Sequence, residues 1–233
     1  MKNILSSKKS NEDQWLPISD LMSVLMMIFL LIAISYMIKV TQEKDKIEEI
    51  AITYNKLQNE LYEDLQSEFE YDLKKWDATL DKSDLSIRFK SPDILFATGS
   101  ENLKKEFKAI LDDFWPRYIE IISDDKYNED ISEIRIEGHT SSMWRVNTSD
   151  RIAYVNNMEL SQGRTRNVLA YLLNIPDVSA SEGFIKAKVT ANGLSSSKLI
   201  VDDNDVENAA LSQRVEFRVK TNAEKRIAQI LTN

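Results

Sequence analysis

The chain of 233 residues contains no cysteine and a single histidine, His139. The absence of cysteine excludes disulfides, thiol catalysis and cysteine-based zinc sites. One histidine excludes a metal centre or a proton relay built from several histidines, and no serine–histidine–aspartate pattern gives it a catalytic role. The net charge of −8 argues against a nucleic-acid partner, because phosphates require a basic surface. We therefore expect no enzyme, no catalytic residue, no metal and no bound cofactor.

One long apolar run, residues 16–40, stands out from the rest of the chain: LPISDLMSVLMMIFLLIAISYMIKV. No charged residue occurs at positions 21–38, and a helix over the whole run is long enough for a hydrocarbon core of about 30 Å. Trp15 and Lys39 flank the run with side chains that favour the membrane interface. The sequence predicts a transmembrane helix at residues 15–40, retained as an anchor.

A single acid, Asp20, lies near the start of this run, where a charge inside a membrane is unfavourable. One interpretation is a carboxylate near a helix N-terminus, stabilised by the helix dipole. The other is an ion carrier, in which Asp20 faces a protein-lined path and binds a proton or a small cation. Ser23 falls on the same helix face, three residues later, and is the candidate neighbour of the ion path. The residues leave both interpretations open.

Residues 41–82 contain neither glycine nor proline and are rich in charged residues. Apolar residues recur there about every 3.67 positions, which is the spacing of an eleven-residue repeat. A stripe this narrow needs a partner surface, so we predict a helical stalk at residues 41–83 that pairs with a second copy as a parallel dimer. The alternative is one amphipathic helix that lies on its own globular domain. The stripe consists of Ile47, Ile50, Tyr54, Leu57, Leu61, Leu65, Phe69, Leu73, Trp76 and Leu80.

From about residue 84 the pattern changes to short alternating and helical segments. LSIRFKSPDILFATGS predicts a strand pair or a strand and a turn, and ENLKKEFKAILDDFWPRYIEII predicts a helix that is bent or broken before Pro116. ISEIRIEGHT, FIKAKVTANG and SQRVEFRVK alternate as strands, whereas NNMELSQGRTRNVLAYLL is helical. A closing helix is predicted at residues 223–233, after a tail at residues 1–14 and the elements above. The order predicts an α+β fold with a two-layer α/β sandwich at residues 84–222.

Four motifs in this part resemble, in the right order, the OmpA-like peptidoglycan-binding domain. They are IRIEGHTSS, NMELSQGRTRNVLAYL, ANGLSSSKLI and LSQRVEFRV. The family patterns that they match are GHTD, N-x-x-LS-x-x-RA, G and RRVE, and the resemblance covers about residues 85–220. It implies a domain that grips the peptide stem of peptidoglycan, with an arginine on the free carboxylate of diaminopimelate.

The arginines that match the family motifs are Arg164 and Arg214. A guanidinium binds a carboxylate through two parallel hydrogen bonds, which makes such a contact selective. For each arginine the residues leave a structural alternative open. Arg164 on a helix surface is compatible with an ion pair to a nearby acid, and Arg214 on a strand is compatible with an ion pair to Glu137 or Glu216.

The resemblance implies further ligand contacts at Thr140, Ser141, Asn157 and Ser161. One departure stands among them, because Ser141 occupies the position of the family's GHTD aspartate. The substitution removes one expected contact with the ligand, and neighbouring hydroxyl groups are the candidates to take its place. His139, in the same motif, resembles a structural turn residue.

The opening of the membrane run, Asp20-Leu21-Met22-Ser23, resembles the D-[LFM]-M-[ST] motif of B subunits in the MotA/MotB stator family. The longer pattern W-x-P-x-x-DLM-x-x-L-M-M-x-F-L and the GHTSS turn resemble the B component of the Zorya anti-phage defence system. The resemblance implies a subunit of a proton-driven or sodium-driven membrane motor that is anchored to peptidoglycan, with the translocated H⁺ or Na⁺ passing Asp20.

The implied partners are a MotA-like ring subunit (ZorA in the Zorya system), a second copy in a parallel homodimer, peptidoglycan and the membrane, with no nucleic acid. The implied location is the inner membrane, as a single-pass protein with a cytoplasmic N-terminus and a periplasmic C-terminal domain. Two alternatives stay open: a flagellar-type MotB stator subunit, and a purely structural peptidoglycan tether.

Overall fold

The computed structural model describes residues 15–90 and 92–222. These residues form two compact units, which divide between Ile50 and Ala51. Almost all of the tertiary structure lies in the second unit, which contains every strand and every helix except the N-terminal part of the first helix.

The first unit consists of the N-terminal part of helix α1, an element that spans Trp15–Lys75. The apolar run lies in this part, and an 18-residue window within it has a mean hydropathy of 2.6. None of that window is buried within the chain. Among the residues that the structure describes, α1 is the one helix long and apolar enough to cross a membrane. The tail predicted at residues 1–14 lies outside the described residues.

The second unit is built on a five-stranded sheet. The strands are β1 (Ala78–Asp81), β2 (Ser86–Phe89), β3 (Ile131–His139), β4 (Val189–Gly193) and β5 (Arg214–Thr221). Their spatial order is β1-β2-β5-β3-β4, in which β3 and β4 are parallel and the other neighbours are antiparallel. The last of these strands along the described residues, β5, therefore lies at the centre of the sheet, and β4 forms one edge.

Helices connect the strands and cover the sheet. They are α2 (Pro92–Leu95), α3 (Lys105–Ile122), α4 (Asp150–Leu172), α5 (Glu182–Lys188) and α6 (Ala209–Ser212), with a 3₁₀ helix at Pro176–Ser181. Parallel strands require a long crossover, which α4 and α5 supply between β3 and β4, and α4 packs against both strands. The α+β class predicted from the sequence is confirmed. The closing helix predicted at residues 223–233 lies outside the described residues.

Aromatic side chains from α1, α3, β2 and β5 meet in the core. The ring centroid of Phe114 on α3 lies 5.0 Å from that of Phe217 on β5 and 5.4 Å from that of Phe89 on β2. Phe69 on α1 lies 5.3 Å from Phe114, and Trp76 lies 6.2 Å from it. Tilted and edge-to-face contacts at these distances add to the stability gained from burial. The end of α1 is thus a part of the core.

The apolar stripe of α1 packs against a different surface from the second copy of the chain that was predicted. From residue 57 onward its members are buried in the second unit: Leu57, Leu61, Leu65, Phe69, Leu73 and Trp76. A narrow stripe needs an apolar partner, and here the partner is the core of the same domain. Of the stalk predicted at residues 41–83, the part from residue 51 onward therefore belongs to the domain, whereas the pairing with a second copy stays a prediction. The domain includes α1 from Ala51, and the alternative of a helix on its own domain holds there.

Polar contacts hold the same stretch of α1 to α3. Arg117 donates from Nε to Glu68 Oε1 at 2.6 Å and from Nη1 to Asp72 Oδ2 at 2.9 Å. Its guanidinium also lies 4.8 Å from the ring centroid of Phe69. A fork with two carboxylates and an aromatic face uses most of the donors of an arginine, and it sets the position of α1 along α3.

Three predicted elements differ from the structure. Strand β1 lies inside the segment expected to be helical and forms a hairpin with β2. FIKAK, expected as a strand, belongs to helix α5, where Lys186 pairs with Glu182 one turn earlier. Helix α3 continues through Pro116, because Trp115 and Tyr118 are fully buried on either side and fix the helix to the core.

Leu65→Ala tests the burial of the stripe. The side chain of Leu65 is 0% exposed, so its truncation should lower the free energy of unfolding by about 2–5 kcal/mol. The matched control is Tyr71→Ala on the same helix, where the residue is 83% exposed and the change should stay within about 0.5 kcal/mol. Urea unfolding of the full chain in detergent, followed by tryptophan fluorescence, measures both. Equal effects of the two substitutions would contradict the packing described here.

Candidate functional site

The segments that follow β3 and β4 are joined to one another at one end of the sheet. Thr140, directly after β3, donates its backbone N–H to the carbonyl of Ser195 at 2.9 Å. Leu194, directly after β4, donates to the carbonyl of Gly138 at 2.9 Å. The pairing of the two parallel strands thus continues into their loops. The loop that carries Thr140 and Ser141 is held in place by the loop after β4.

Helix α4 fixes these loops through two polar side chains. Asn157 donates from Nδ2 to the carbonyls of Ser141 and Met143, at 3.1 Å each. The Oγ of Ser161 accepts the backbone N–H of Ser195 at 3.0 Å. Asn157 and Ser161 are both buried. These two members of the expected ligand set therefore use their polar groups on the backbone, and in this structure they position the loops.

The exposed part of the β3–α4 loop is tied to the acidic loop at residues 201–208. Ser142 donates its backbone N–H to Glu207 Oε1 at 2.9 Å, and its hydroxyl donates to the other oxygen of the same carboxylate. The Oγ1 of Thr140 is buried and has no hydrogen-bond partner among the described residues. With Ser141 in place of the expected aspartate, this loop receives a carboxylate, Glu207, from another segment of the chain.

Arg164, on α4, points toward the segment between α2 and α3. Its Nε donates to the carbonyl of Ser100 at 2.9 Å, and its Nη2 lies 3.5 Å from the carbonyl oxygen of Ala97. The guanidinium stacks 4.7 Å from the ring centroid of Phe96. The residue is 8% exposed. Within the part of the chain that the structure describes, no carboxylate forms an ion pair with it at 4.0 Å or less.

The charge of Arg164 is therefore buried without an ion-pair partner among the described residues. Burial lowers the pKa of Arg164 to about 10, against the opposing effect of Glu101, so the guanidinium stays protonated at neutral pH. The surface ion pair that the sequence left as an alternative does not fit this environment. A buried cation of this kind stabilises a bound anion, and a planar carboxylate is the group that an arginine fork binds best.

Arg214, unlike Arg164, has a carboxylate partner in the described chain. Its Nε donates to Glu216 Oε1 at 2.6 Å, and its Nη1 donates to the carbonyls of Lys198 and Ser212 at 3.1 Å each. This is the ion pair with Glu216 that the sequence left open as the alternative. The structure does not bring Arg214 to Arg164 in a common set of contacts, and the charge of Arg214 is already neutralised.

Glu216 lies at the centre of a buried charge network on one face of the sheet. It pairs in register with Glu137 of β3 and with Arg88 of β2. Its carboxylate accepts from Arg88 Nε at 2.7 Å and from Arg218 Nη2 at 2.9 Å, in addition to Arg214. Burial opposes the charged form of Glu216, but Arg214 and the other cations around it hold its pKa at about 2. Two carboxylates side by side are thus stabilised by guanidinium groups.

His139 lies within the same network. Its Nε2 is 3.7 Å from Glu137 Oε2 and 3.9 Å from Glu216 Oε1, and burial lowers its pKa, which favours the neutral ring. Ligand atoms of these three residues lie within 4.8 Å of one another, the range of a metal site. Arg218 Nε, however, lies 3.2 Å from Glu137 Oε2, and Arg214 occupies Glu216. A divalent cation would have to enter among guanidinium groups, so we interpret the cluster as a structural network.

This network was not predicted from the sequence, although the sequence contains a signal for it. Arg214, Glu216 and Arg218 occupy every second position of one strand, and such residues share one face of a sheet. Charged residues that alternate with Val215, Phe217 and Val219 indicate a polar face opposite an apolar one. The contact of Ser142 with Glu207 has no comparable signal, because it joins positions that are 65 residues apart.

In the first unit, Asp20 lies on α1 with an exposed side chain. Ser23, three residues later, donates its hydroxyl to the carbonyl of Ser19 at 2.9 Å, a bond within the helix. The hydroxyl proton of Ser23 is therefore engaged, and its oxygen retains the capacity to accept.

The chain matches one protein family and one curated protein by sequence. The model of the OmpA family matches residues 95–213, slightly more than half of the chain. The curated Zorya protein ZorB of Escherichia coli is 48% identical over 227 residues, covering 97% of this chain and 96% of that protein.

Solved structures resemble the chain more weakly. A MotB-like protein from Desulfovibrio vulgaris superposes with a TM-score of 0.49 at 22% identity, over 76% of this chain and 94% of that one. The cell wall anchor of the T6SS from Pseudomonas aeruginosa superposes with a TM-score of 0.45 at 22% identity, over 67% of this chain and 96% of that one. At these values the family assignment rests on the sequence matches.

The second unit, with its mixed sheet and the motifs on β3, α4 and β5, defines an OmpA-like domain joined to an N-terminal helix that is apolar enough to cross a membrane. The chain belongs to the OmpA family and, by its similarity over nearly its full length, to the family of Zorya protein ZorB.

Glu216→Gln tests the charge network. The pKa of Glu216 is about 2 in the folded chain against an ordinary 4.5, so its contribution to stability is present above about pH 4.5 and is lost as the pH falls toward 2. The variant should be less stable than the native chain by about 2–4 kcal/mol at pH 7, and by clearly less at pH 3. Urea unfolding at the two pH values measures the difference. Glu120→Gln, at an exposed position, is the control and should have no effect at either pH. A destabilisation by Glu216→Gln that is equal at both pH values would contradict the assignment.

Proposed function

We propose that this chain is the B subunit of a stator-like membrane motor that is anchored to peptidoglycan, is driven by protons or sodium ions and serves anti-phage defence. The observation that carries the anchoring is the buried guanidinium of Arg164 in an OmpA-family domain. The defence role is supported by the similarity to Zorya protein ZorB over nearly the whole chain.

The wall-binding part of the proposal follows from charge. Arg164 is stacked on Phe96 and bonded through Nε to Ser100, which fixes the plane of the guanidinium. A free carboxylate of the peptidoglycan peptide would supply the missing negative charge, and a fixed plane favours the paired geometry. In this proposal Asn157 holds the loop that carries Thr140 and Ser141, and Ser161 holds the loop after β4, which pairs with it through Ser195. Arg214 acts through the sheet and not on the ligand.

The motor part of the proposal rests on Asp20. The acid is placed near the start of an apolar helix, where binding a proton removes the energetic penalty of a charge and releasing it restores that penalty. One elementary charge that moves through a potential of 100 mV releases about 2.3 kcal/mol. That energy produces relative motion only if one side is held, which is the role of the wall-binding domain.

The partners of the proposal follow from the exposed apolar surface. None of the apolar window of α1 is buried, so lipid, a ring of MotA-like subunits (ZorA) and a second copy of the chain are the surfaces that would cover it. The chain would span the inner membrane once, with its N-terminus in the cytoplasm and the OmpA-like domain in the periplasm, on the wall side. The ion-driven subunit of a flagellar-type stator and a structural tether are the alternatives, and the tether requires no function of Asp20.

Asp20→Asn separates a motor from a tether. The substitution removes the titratable group but keeps its size, so ion flux in liposomes containing the ring subunit and protection of cells against phage should both be abolished. Co-purification with the ring subunit should remain. Asp20→Glu, which keeps a carboxylate, is the matched variant and should retain part of the flux. An Asn variant that conducts ions and protects cells would refute the ion-carrier role.

Arg164→Ala tests the grip on the wall. Loss of a charge-assisted hydrogen-bonded pair is worth about 1.5–3 kcal/mol, which corresponds to a tenfold to hundredfold lower affinity for purified peptidoglycan in sedimentation assays. Arg164→Lys keeps the charge but not the fork and should fall in between. Arg151→Ala, at an exposed position of the same helix, is the control. Unchanged sedimentation of Arg164→Ala, with a lowered melting temperature, would assign the residue a purely structural role.

A further inference from the structure

An open cleft with a volume of about 560 Å³ lies between α4 and the end of the edge strand β4. None of the residues that the family motifs assign to the ligand lines it. Its polar lining comes from α4, from β4 and from the segment before α3, and an apolar side chain completes it. The side chains that matter here are those of Glu101, Glu159, Gln162, Arg166, Asn192 and Leu194.

The cleft is formed by close backbone packing. Glu159, Gln162 and Arg166 lie on one face of α4, because they are spaced by three and four residues. Gly193 brings the end of β4 against that face, since a Cβ at this position would lie 2.3 Å from the backbone nitrogen of Gln162. The carboxylate of Glu101 lies over Gly163, where a Cβ would come within 2.1 Å of it. The two glycines thus set the width of the cleft and the position of Glu101.

The cleft and the Arg164 site share one wall. Ser100, whose carbonyl accepts the Nε of Arg164 at 2.9 Å, directly precedes Glu101. The carbonyl of Glu101 accepts from Asn167 Nδ2 at 3.0 Å, and its carboxylate pairs with Arg166 Nη2 at 3.3 Å. The segment 100–101 is therefore fixed to α4 on both sides. The Arg164 site and the cleft therefore meet at the same two consecutive residues, Ser100 and Glu101.

The lining identifies the kind of group that would bind. Gln162 offers an amide donor and an amide acceptor. Asn192, which donates from Nδ2 to Thr190 Oγ1 at 2.8 Å, keeps a second N–H and its carbonyl oxygen, and such groups suit hydroxyl and acetamido groups. Glu101 forms an ion pair with Arg166, which leaves Glu159 as the one unpaired carboxylate in the described lining of the cleft. A divalent cation is therefore not favoured there. An anion is disfavoured by Glu159 beside this pair. Leu194 offers a small apolar surface, as the ring face of a sugar requires.

We propose that this cleft is a saccharide subsite, which takes an N-acetylated hexosamine of the same wall polymer whose peptide carboxylate is held at Arg164. The inference rests on the proposed wall binding and extends it, because it makes the domain a reader of sugar and peptide together. Gln162 and Asn192 are the specificity-determining residues of the subsite, and Arg166 and Glu101 provide a fixed polar wall.

The test compares two ligands of known composition on the full chain in detergent by isothermal titration calorimetry. One is the disaccharide tripeptide of peptidoglycan, and the other is the same tripeptide without sugars. The native chain should bind the sugar-bearing ligand about tenfold more tightly, the equivalent of one or two net hydrogen bonds. Gln162→Ala and Asn192→Ala should each reduce this preference severalfold, with affinity for the sugar-free tripeptide unchanged. Arg151→Ala, on the same helix but outside the cleft, should keep it.

Equal affinity of the native chain for the two ligands would overturn the subsite. A weaker binding of the sugar-free tripeptide by the cleft variants, at an unchanged melting temperature, would also overturn it, because the cleft would then contact the peptide. Arg164→Ala reports on the other site. If it binds both ligands like the native chain, the carboxylate grip fails, whereas the ratio of the two affinities still reports on the cleft.

Discussion

The structure of the second unit depends on the burial of one face of α1 against the aromatic core. Phe114 is in contact with Phe69 of α1, Phe89 of β2 and Phe217 of β5, so a single ring joins three parts of the chain. Removing the helix would expose to water the side of this core that it covers, which is unfavourable because burial of apolar surface is the main favourable contribution to folding. The helix that bears the apolar N-terminal run is for this reason a structural element of the OmpA-like domain.

The two faces of the sheet are stabilised by opposite means. One face is covered by aromatic and aliphatic side chains, whereas the other carries Glu137 and Glu216 as direct neighbours, surrounded by arginines. A buried carboxylate is tolerated only when it is paired, and removal of a partner leaves the other charge exposed to a medium that cannot solvate it. This network ends at His139, directly before the loop of Thr140. The end of the sheet that carries the candidate site is thus held by this charge network on one face of the sheet and by Asn157 and Ser161 of α4.

The fold class and the motif-bearing elements could be predicted from the sequence, because OmpA-like motifs and alternation along β3 and β5 are local signals. The surface that covers the α1 stripe could not be predicted, because periodicity shows that a helix has an apolar face but not what packs against that face. The prediction of a strand at FIKAK was wrong for a related reason. Five residues fit a strand and a helix equally well, and the ion pair of Lys186 with Glu182 forms only in the helix. Arg164 was identified by its motif, but its isolation from carboxylates depends on the approach of Phe96 and Ser100, which are far away in sequence. The cleft beside it depends on two glycines whose role becomes visible only when the neighbouring backbone is in place.

The buried stretch of α1 has a mechanical consequence. From Leu57 to Leu73 the helix is held by a row of buried side chains, which Trp76 continues directly after its end, and Arg117 adds ionic contacts with Glu68 and Asp72. A tension that pulls along the axis of α1 acts on all of these contacts at once, in shear, whereas a force across the axis would open them one after another. Shear loading distributes the force over many contacts at once. The domain should therefore resist unfolding when it is pulled along its first helix.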